Sequence, residues 1–477
     1  MLFNSYPFLI GFLPAALLVM AVVPRFGPAT ASLAAMLLLS AAFYAYSSVH
    51  FLGLLLGSIL VNYALSVYVP ARRWLVAAAV AFNLGLLGLF KYAGFFTREV
   101  AALGIPVAVV SLALPLAISF YTFKQISYVV DIGSGRIKRP PLLRYAAYVS
   151  FFPHLIAGPI VRYSELAGRL ARAVPFVVTG SGLRLGLVLL IIGLGKKVVL
   201  ADRFAVIADA GFATVGTLSF LDAWTTVLAF SLQIYFDFSG YSDMAIGLAR
   251  MFGIRLPDNF NRPYRAVDIA EFWHRWHMSL SRFLRDYFYI PLGGNRRSPG
   301  RTAVNLMVVM TIGGLWHGAN WTFVVWGGLH GAYLVIHRIW RSCAPFRLPR
   351  PLAWLLTFVA VEAAWSFFRS ADVREGAMLA GRLFRPDTIV LPARLETVLG
   401  HWPVFDRLSY GLLFIGGAIQ WAYIVLGLAV VLAMPTTKSL AVASRGRARW
   451  ALPLGLLLGL CAILLREKPH VFIYFNF

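Results

Sequence analysis

The sequence predicts an all-α polytopic membrane protein, and three observations lead to this prediction. Of the 477 residues, 60% are hydrophobic and 13% are charged, and the mean hydropathy is +0.76. A soluble domain carries roughly 25% charged residues. Apolar runs recur along the chain, and short basic stretches separate them. We therefore expect about 11–13 membrane segments, some of them re-entrant, that form a shell around a central cavity or tunnel.

The apolar runs define the candidate segments in chain order, because a bilayer core needs about 20 mostly apolar residues per helix. They lie near residues 7–24, 29–47, 50–69, 74–91, 103–122, 143–160, 182–200, 219–247, 302–316, 321–340, 351–368, 409–434 and 450–465. The first run has no positively charged leader and no small-residue cleavage site. We interpret it as a retained span rather than a signal peptide that is removed.

Two of these runs contain polar or helix-breaking residues. Pro115 and the run 121–125 (YTFKQ) interrupt the fifth, and Pro153, His154 and the Gly-Pro pair at 158–159 interrupt the sixth. Broken helices survive at membrane depth only when they are buried in protein or line a wet cavity. Both interruptions are therefore expected near an internal cavity.

The chain is strongly basic, with 43 Lys and Arg against 19 Asp and Glu, a formal net charge of +24. The basic residues lie in short loops, so the positive-inside rule explains the excess without nucleic acid and places 250–301 and 435–449 in the cytoplasm. Part of the excess is available for anionic lipid headgroups or a phosphorylated substrate. Cys343 and Cys461 are isolated and predict neither a disulfide framework nor a thiolate metal site.

Two acids lie inside the apolar run at 219–247. Asp237 and Asp243 are expensive to bury in a bilayer unless they are paired or solvated. One interpretation is a helix-packing site in which each acid bonds to a nearby cation or to backbone. The other places an acid beside a catalytic histidine, where it orients the ring. The sequence leaves both open.

Glu271, His274 and His277 recur at every third residue, so on a helix they would drift slowly around one face. A metal site could use all three, but the spacing is not HExxH and no further ligand set is evident. We therefore predict no metal. For His277 alone, the alternatives are an acid–base or substrate-binding role and structural hydrogen bonding.

His317 ends an apolar run and is the strongest functional signal. It lies between Gly313-Gly314 and Gly318, beside Trp316 and Asn320. The small residues permit close backbone approach, a neutral imidazole can accept a proton at pH 7, and Asn320 could donate to a developing oxyanion.

Two more histidines and a group of arginines lie near this run, and their positions indicate their roles. His330 and His337, on the following run, are interpreted as structural or interfacial. A group of arginines, Arg282, Arg285, Arg296, Arg297 and Arg301, surrounds Gly293-Gly294-Asn295. Arginine binds phosphate through two parallel hydrogen bonds. A positive-inside loop explains the arginines equally well.

Together these segments resemble the membrane-bound O-acyltransferase superfamily. Within it, they resemble the bacterial branch that holds the alginate O-acetyltransferase membrane subunit and the teichoic-acid D-alanyl transfer protein. The matching segments are FNSYPFLIGFLP (3–14), PLAISFYTFKQISYVVD (115–131), FFPHLIAGPIVRYSEL (151–166), GLGKKVVLAD (193–202), YFDFSGYSDMAIGLARMFGI (235–254), NFNRPYRAVDIAEFWHRWHMSLSRFLRDYFYIPLGGNR (259–296), GGLWHGANWTFVVWGGLHG (313–331) and FIYFNF (472–477). The resemblance implies one acyltransferase domain over 1–477, with its catalytic core at about 115–340.

The resemblance also implies a mechanism. His317 matches the catalytic histidine of the family's WHG motif, and His277 matches a second histidine in the branch's RWHMSLS motif. Members of this branch move an acyl group from a cytoplasmic thioester towards an acceptor beyond the membrane. His317 would act as general base, and His277 would orient the acceptor or protonate the leaving group. Site residues also expected to bind substrate are Trp316, Asn320, Asp237, Arg282 and Arg285.

The expected activity is acetyl transfer from acetyl-coenzyme A or another acyl thioester to a hydroxyl of alginate or a similar exopolysaccharide. No bound cofactor is expected. A periplasmic partner protein, contact with membrane lipid and a bacterial inner-membrane location complete the prediction. The alternatives are a transporter or flippase, which explains broken helices, an inactive scaffold subunit, and D-alanyl transfer to teichoic acid.

Overall fold

The computed structural model describes residues 1–172, 174–344, 346–392, 396, 409–411, 417–465 and 472–473, and most of them are helical. In chain order the α-helices are α1 (Leu13–Phe26), α2 (Ala29–Ala45), α3 (Val49–Tyr68), α4 (Trp74–Leu87), α5 (Ala93–Ala102), α6 (Ile118–Gly133), α7 (Leu142–Ser150), α8 (Phe152–Leu155), α9 (Tyr163–Leu170), α10 (Gly180–Gly195), α11 (Asp202–Phe212), α12 (Phe220–Met251), α13 (Ile269–Arg275), α14 (Met278–Leu284), α15 (Pro299–His317), α16 (Trp321–Cys343), α17 (Arg350–Arg369), α18 (Val373–Arg382), α19 (Ala418–Ala433), α20 (Thr437–Ala443) and α21 (Ala451–Leu464). Single π-helical turns cover Pro7–Phe12, Gly88–Tyr92, Lys196–Ala201 and Arg285–Tyr289.

The helices confirm the all-α polytopic membrane class. Within the described ranges, four helical stretches are long and apolar enough to cross a membrane, namely Pro7–Phe26, Val49–Tyr68, Trp74–Ala102 and Arg350–Arg369. A helix pair bent by 69°, Ile419–Ala433 and Thr437–Ala443, makes a fifth if it is one span. Helices suit this environment because every backbone group is satisfied within the segment. The total of 11–13 segments and the central tunnel stay predictions.

Strand structure in the described part is limited to β1 (Val390–Pro392) and β2 (Ser409–Gly411), which pair in parallel. The apolar run predicted at 409–434 therefore begins as a strand, and its helix starts only at Ala418. The C-terminal segment 472–477 of the family resemblance is described only at Phe472 and Ile473.

The fifth predicted span, 103–122, is wrong. Residues 105–115 form no regular secondary structure, and α6 begins only at Ile118, after Ala117 in a left-handed conformation (φ 66°). Gly104, also at positive φ, and Pro106 and Pro115, which have no backbone N–H, break the helix despite the apolar composition.

The polar run at 121–125 lies inside α6 and does not interrupt it. Gln125 Oε1 accepts a hydrogen bond from Asn62 Nδ2 (2.6 Å), and Gln125 Nε2 donates to Ser58 Oγ (2.9 Å). Asn83 Nδ2 donates to Asn62 Oδ1 (2.6 Å). These amides join α3, α4 and α6, as polar side chains do between membrane helices. They therefore satisfy one another across the helix contacts.

The sixth predicted span is broken where the sequence indicates. α7 ends at Ser150, the short α8 covers Phe152–Leu155, and the chain then continues without regular structure through Gly158 and Pro159. Lys124 Nζ, which is fully buried, donates to the carbonyl oxygen of His154 (3.1 Å). The break thus exposes a carbonyl that a buried lysine satisfies.

The chain divides into two compact units. The first comprises Met1–Gly195, Gly240–Asn259 and Thr437–Lys468, and the second comprises Lys196–Ser239, Phe260–Thr436 and Pro469–Phe477. Helix α12 contributes its first part, to Ser239, to the second unit and the remainder to the first. The single acyltransferase domain over 1–477 stays a prediction.

In the first unit, α10 packs against the end of α12 through glycines spaced seven residues apart. A Cβ added to Gly186 would lie 2.5 Å from the carbonyl oxygen of Gly247, and one added to Gly193 would lie 2.6 Å from that of Gly240. Small residues let the backbones of membrane helices approach this closely.

We expect Gly186→Ala to destabilise the protein by about 1–3 kcal/mol, because the new methyl group must displace backbone. The matched control is Gly85→Ala in α4, where an added Cβ meets nothing within 4 Å. That change should be neutral or stabilising by about 0.5–1 kcal/mol. Thermal unfolding of both purified variants measures the difference, and equal midpoints would contradict the close packing.

The second unit has an aromatic core. Its fully buried side chains include Trp276, Trp326 and Trp365, and Phe230 and Phe368 pack against Trp365. Large aromatic groups dominate the burial energy of such a core. The functional site lies within this packing.

Candidate active site

A break in the helical backbone between α13 and α14 positions His277. Helix α13 is capped by Asp268, whose carboxylate accepts the N–H of Glu271 (2.7 Å), and it ends at Arg275. Trp276 is extended, and His277 adopts a left-handed conformation with φ 41°. A residue other than glycine rarely adopts this conformation, and such strain clusters at functional sites. His277 therefore lies outside α13 and precedes the first residue of α14.

The expected helical drift of Glu271, His274 and His277 is therefore wrong. The helix ends before His277, so the three residues do not share one face. The Glu271 carboxylate is engaged structurally, since it accepts from Arg275 Nη2 (2.6 Å) and from the N–H of Val267 (2.8 Å).

His317 is the last residue of α15, and glycines place it close to α16. A Cβ on Gly314 would lie 2.2 Å from the carbonyl oxygen of Phe323, and one on Gly318 would lie 2.0 Å from the Phe323 ring. The predicted close approach at these small residues is confirmed. The carboxyl end of α15 carries the negative end of the helix dipole, which favours a positive charge on His317.

The two histidines meet in the second unit. Their ring centroids are 6.5 Å apart, and the rings are 0% (His277) and 3% (His317) exposed. The aromatic rings around them are Trp316, 5.0 Å from His317 and 6.2 Å from His277, Phe238, 4.6 Å from His277, and Trp326 and Phe368, 5.3 and 5.2 Å from His317. The structure thus brings the predicted His277, Trp316 and His317 together.

Burial fixes the charge of His277. Desolvation lowers the pKa of its imidazole to about 3. The ring is therefore neutral at pH 7, with one N–H donor and one acceptor nitrogen. A neutral ring can orient a hydroxyl through its acceptor nitrogen or a carbonyl oxygen through its N–H.

Asp237 lies in an ion cluster. Its Oδ1 is 2.9 Å from Lys197 Nζ, and its Oδ2 accepts the N–H of Ile473 (2.7 Å). Lys197 also pairs with Asp202 at 2.8 Å. Asp243, in the other unit, accepts from Thr437 Oγ1 (2.7 Å). These bonds agree with the packing interpretation of both acids.

Asn320 is occupied as a helix cap. Its Oδ1 accepts the N–H of Thr322 (3.1 Å) at the start of α16, and its Nδ2 donates to the carbonyl oxygen of Ala371 (3.0 Å). Both ends of the amide thus stabilise structure. The amide nitrogen has two N–H donors, so an oxyanion role would have to use the one that does not bond to Ala371.

Arg282 and Arg285 line a cavity of about 740 Å³ in the second unit. Arg338, Arg341, His274 and His337 line it as well, while Arg296, Arg297 and Arg301 do not. The apolar part of the wall includes Met278, Val309, Met310 and Leu334. Basic groups on an apolar wall suit an anionic ligand with an apolar or neutral arm.

Sequence reasoning missed several residues of this site. The spacing of Leu334, His337, Arg338 and Arg341 places them on one face of a helix, and this signal could have identified the second basic wall. His330, interpreted as structural or interfacial, is fully buried and stacks on Phe272 with ring centroids 6.1 Å apart. Nothing in the sequence indicates that Phe238 and Phe368 pack against the histidines.

Comparison with known proteins identifies the family. The model of the MBOAT, membrane-bound O-acyltransferase family, matches residues 108–370. The peptidoglycan O-acetyltransferase of Helicobacter pylori is 42% identical over 411 residues, covering 78% of each chain. The "Probable alginate O-acetylase AlgI" of Azotobacter vinelandii is 42% identical over 393 residues, covering 78% of this chain and 76% of its own.

A more distant relative is the teichoic acid D-alanyltransferase of Streptococcus thermophilus. It is 28% identical over 249 residues, covering 47% of this chain and 57% of its own. The matched family range contains both histidines and every residue predicted for the site. The chain therefore belongs to the membrane-bound O-acyltransferase family and is an O-acyltransferase embedded in the membrane by several helices.

Proposed function

We propose that this protein transfers an acetyl group from a thioester donor at the cytoplasmic face to a hydroxyl of a polysaccharide outside the bacterial inner membrane. One observation carries the proposal. His277 and His317 come from separate motifs, yet their rings lie 6.5 Å apart in a buried aromatic site. Such a site excludes water, which would otherwise hydrolyse the donor.

In the proposed reaction, a ring nitrogen of His317 takes the proton of the acceptor hydroxyl. The oxygen forms a bond to the thioester carbonyl carbon, the carbon–sulfur bond then breaks, and the departing thiolate takes the proton from the His317 imidazolium to leave as the thiol. The carboxyl end of α15 stabilises the imidazolium during this step. Neutral His277 holds the acceptor hydroxyl or the carbonyl oxygen by a hydrogen bond, which favours its orienting role over proton donation.

The 740 Å³ cavity is the proposed donor site. Arg282, Arg285, Arg338 and Arg341 would hold the phosphates of coenzyme A, or the single phosphate of a phosphopantetheine arm. The apolar wall would take the arm that carries the thioester. The chain's own residues supply the chemistry, so no bound cofactor is proposed.

The relatives' names favour an acetyl group and a sugar acceptor. Two acetyl-transferring relatives are 42% identical to this chain, whereas the D-alanyl relative is 28% identical over a shorter stretch. One of the former is named for peptidoglycan and the other for alginate. We therefore propose a polysaccharide hydroxyl of the alginate or peptidoglycan type, reached directly or through a periplasmic partner protein.

The test is acetyl release from radiolabelled acetyl-coenzyme A by the full chain in proteoliposomes, with an acetylated phosphopantetheine carrier protein as the second donor. We expect label to leave at least one donor and to appear on added polysaccharide once a periplasmic partner is supplied. Movement of an intact substrate across the membrane without cleavage of the thioester would instead establish the transporter alternative.

Removing charge from the donor cavity should weaken donor binding. We expect Arg282→Gln and Arg338→Gln each to raise KM for acetyl-coenzyme A roughly tenfold with little change in kcat, because charge-assisted hydrogen bonds contribute about 1.5–3 kcal/mol. The matched control is Arg347→Gln, at an exposed arginine that does not line the cavity. Steady-state kinetics in detergent measures the effect, and an unchanged KM in both cavity variants would place the donor elsewhere.

A further inference from the structure

A second cavity, of about 1050 Å³, lies in the first unit and has no part in the proposed transfer. It is bordered by α9, the start of α10, the end of α12 and the start of α21. Seven arginines line it, namely Arg169, Arg172, Arg184, Arg250, Arg255, Arg445 and Arg447. Among the described lining residues only Glu165 is acidic, and its carboxylate accepts the N–H of Arg162 (2.9 Å). The cavity therefore carries a large excess of positive charge.

The most enclosed of these cations forms no ion pair with the residues that the structure describes. Arg169 and Arg250 are half-buried, whereas the other five are exposed. Nε and Nη2 of Arg169 are buried and have no hydrogen-bond partner among the described residues. Burial, and then the charge of Arg172, lower the pKa of the Arg169 guanidinium. Buried polar groups almost always have a partner, so an anion that enters the cavity would supply one.

The backbone leaves room for this guanidinium. Gly253 has φ 78°, and a Cβ added there would lie 2.7 Å from Arg169 Nη2. A side chain at that position would occupy the space beside the charged group. Gly182 lies similarly close to Arg250, since its added Cβ would be 2.8 Å from the Arg250 carbonyl oxygen.

The remainder of the wall is apolar. Leu185, Val188 and Ile191 of α10 line the cavity on one side, and Leu454 of α21 and the neighbouring Trp450 line it as well. Both helices are almost wholly apolar in sequence. The cavity thus combines arginines at the ends of helices with an apolar surface that continues along them.

We infer that this cavity binds the phosphodiester headgroup of an anionic glycerophospholipid, with the acyl chains lying along α10 and α21. Basic recesses between membrane helices are suited to such headgroups, and the arginine fork matches the phosphate oxygens. Free phosphate could bind the same arginines but would make no contact with the apolar wall. The lipid accounts for both parts of the cavity.

The test is lipid binding to the purified full chain after delipidation, followed by native mass spectrometry. The probes are cardiolipin, phosphatidylglycerol and phosphatidylcholine with identical acyl chains, and soluble glycerophosphate. We expect saturable binding of the two anionic lipids, at least roughly tenfold tighter than that of phosphatidylcholine or glycerophosphate. Equal affinity for all three lipids, or equally tight binding of glycerophosphate, would overturn the inference.

Charge-neutral variants make the test specific. Arg169→Gln with Arg250→Gln should weaken anionic-lipid binding roughly tenfold or more. The exposed pair Arg445→Gln with Arg447→Gln provides a second measurement if the first variant does not fold. The matched control is Arg72→Gln with Arg73→Gln, an exposed pair in the same unit that does not line the cavity. An equal loss of anionic-lipid affinity in the control variant would show that surface charge in general attracts the lipid, and it would overturn the assignment of this cavity as the binding site.

Discussion

We expect His317→Ala to remove most of the acetyl transfer while the protein still accumulates in the membrane. Positioned general-base catalysis typically contributes about 10²–10⁴-fold, so we expect kcat to fall by that factor. KM for the donor should change little, because the proposed phosphate-binding arginines are untouched. Turnover of radiolabelled acetyl-coenzyme A, or of the acetylated carrier, measures the loss.

His317→Gln controls for packing in this experiment. Glutamine retains a polar side chain of similar reach but cannot accept a proton from a hydroxyl at neutral pH. It should be as inactive as the alanine variant and more stable, since the ring contacts with Trp326 and Phe368 are only partly lost. If either variant kept more than a tenth of the wild-type turnover, His317 would not be the general base.

Lys197→Met gives the largest expected loss of stability. Lys197 is 4% exposed and lies between Asp202 and Asp237, at 2.8 and 2.9 Å. Removing the ammonium leaves a buried carboxylate without its cation, which typically costs about 3–5 kcal/mol. Methionine keeps much of the apolar stem, so lost packing contributes little. The thermal midpoint of the purified variant and its accumulation in the membrane should both fall.

An exposed ion pair is the control for Lys197. Lys438 Nζ lies 2.7 Å from the Asp258 carboxylate but is 63% exposed. Lys438→Met should therefore cost only about 0–1 kcal/mol. The double variant Lys197→Met with Asp237→Asn should recover part of the loss, because the amide oxygen can still accept the N–H of Ile473. Equal midpoints for Lys197→Met and Lys438→Met would contradict the buried cluster.

Composition was sufficient to predict the membrane class, because hydropathy reports burial in lipid directly. Composition predicted a span at 103–122 that is wrong, because Gly104, Pro106 and Pro115 prevent a helix there despite the apolar residues. It also misjudged the run around Gln125, because the amides of Asn62 and Asn83 that satisfy it come from other helices. Hydropathy within one segment contains no information about such partners.

The candidate site was predictable where a motif carries the chemistry. His277, Trp316 and His317 were identified from sequence and lie together. The helical periodicity assumed for Glu271–His277 failed because the helix ends at Arg275 and His277 adopts a left-handed conformation. Asn320 and Asp237 stay predictions for substrate binding, and each also bonds to a residue far away in sequence, Ala371 and Ile473 respectively. Local patterns do not indicate those long-range bonds.

The bond from Ile473 N–H to Asp237 joins residues 236 positions apart in the chain. Phe472 packs on Phe238, and Phe238 packs edge-on to His277. A ribosome adds roughly 5–20 residues per second, so on the order of ten to fifty seconds pass between the synthesis of these two partners. During that interval the bond from Ile473 to Asp237 cannot form. The acyltransferase site therefore gains one of its supporting walls only after residue 473 has been synthesised, and a chain that stalls before then carries both histidines without this support.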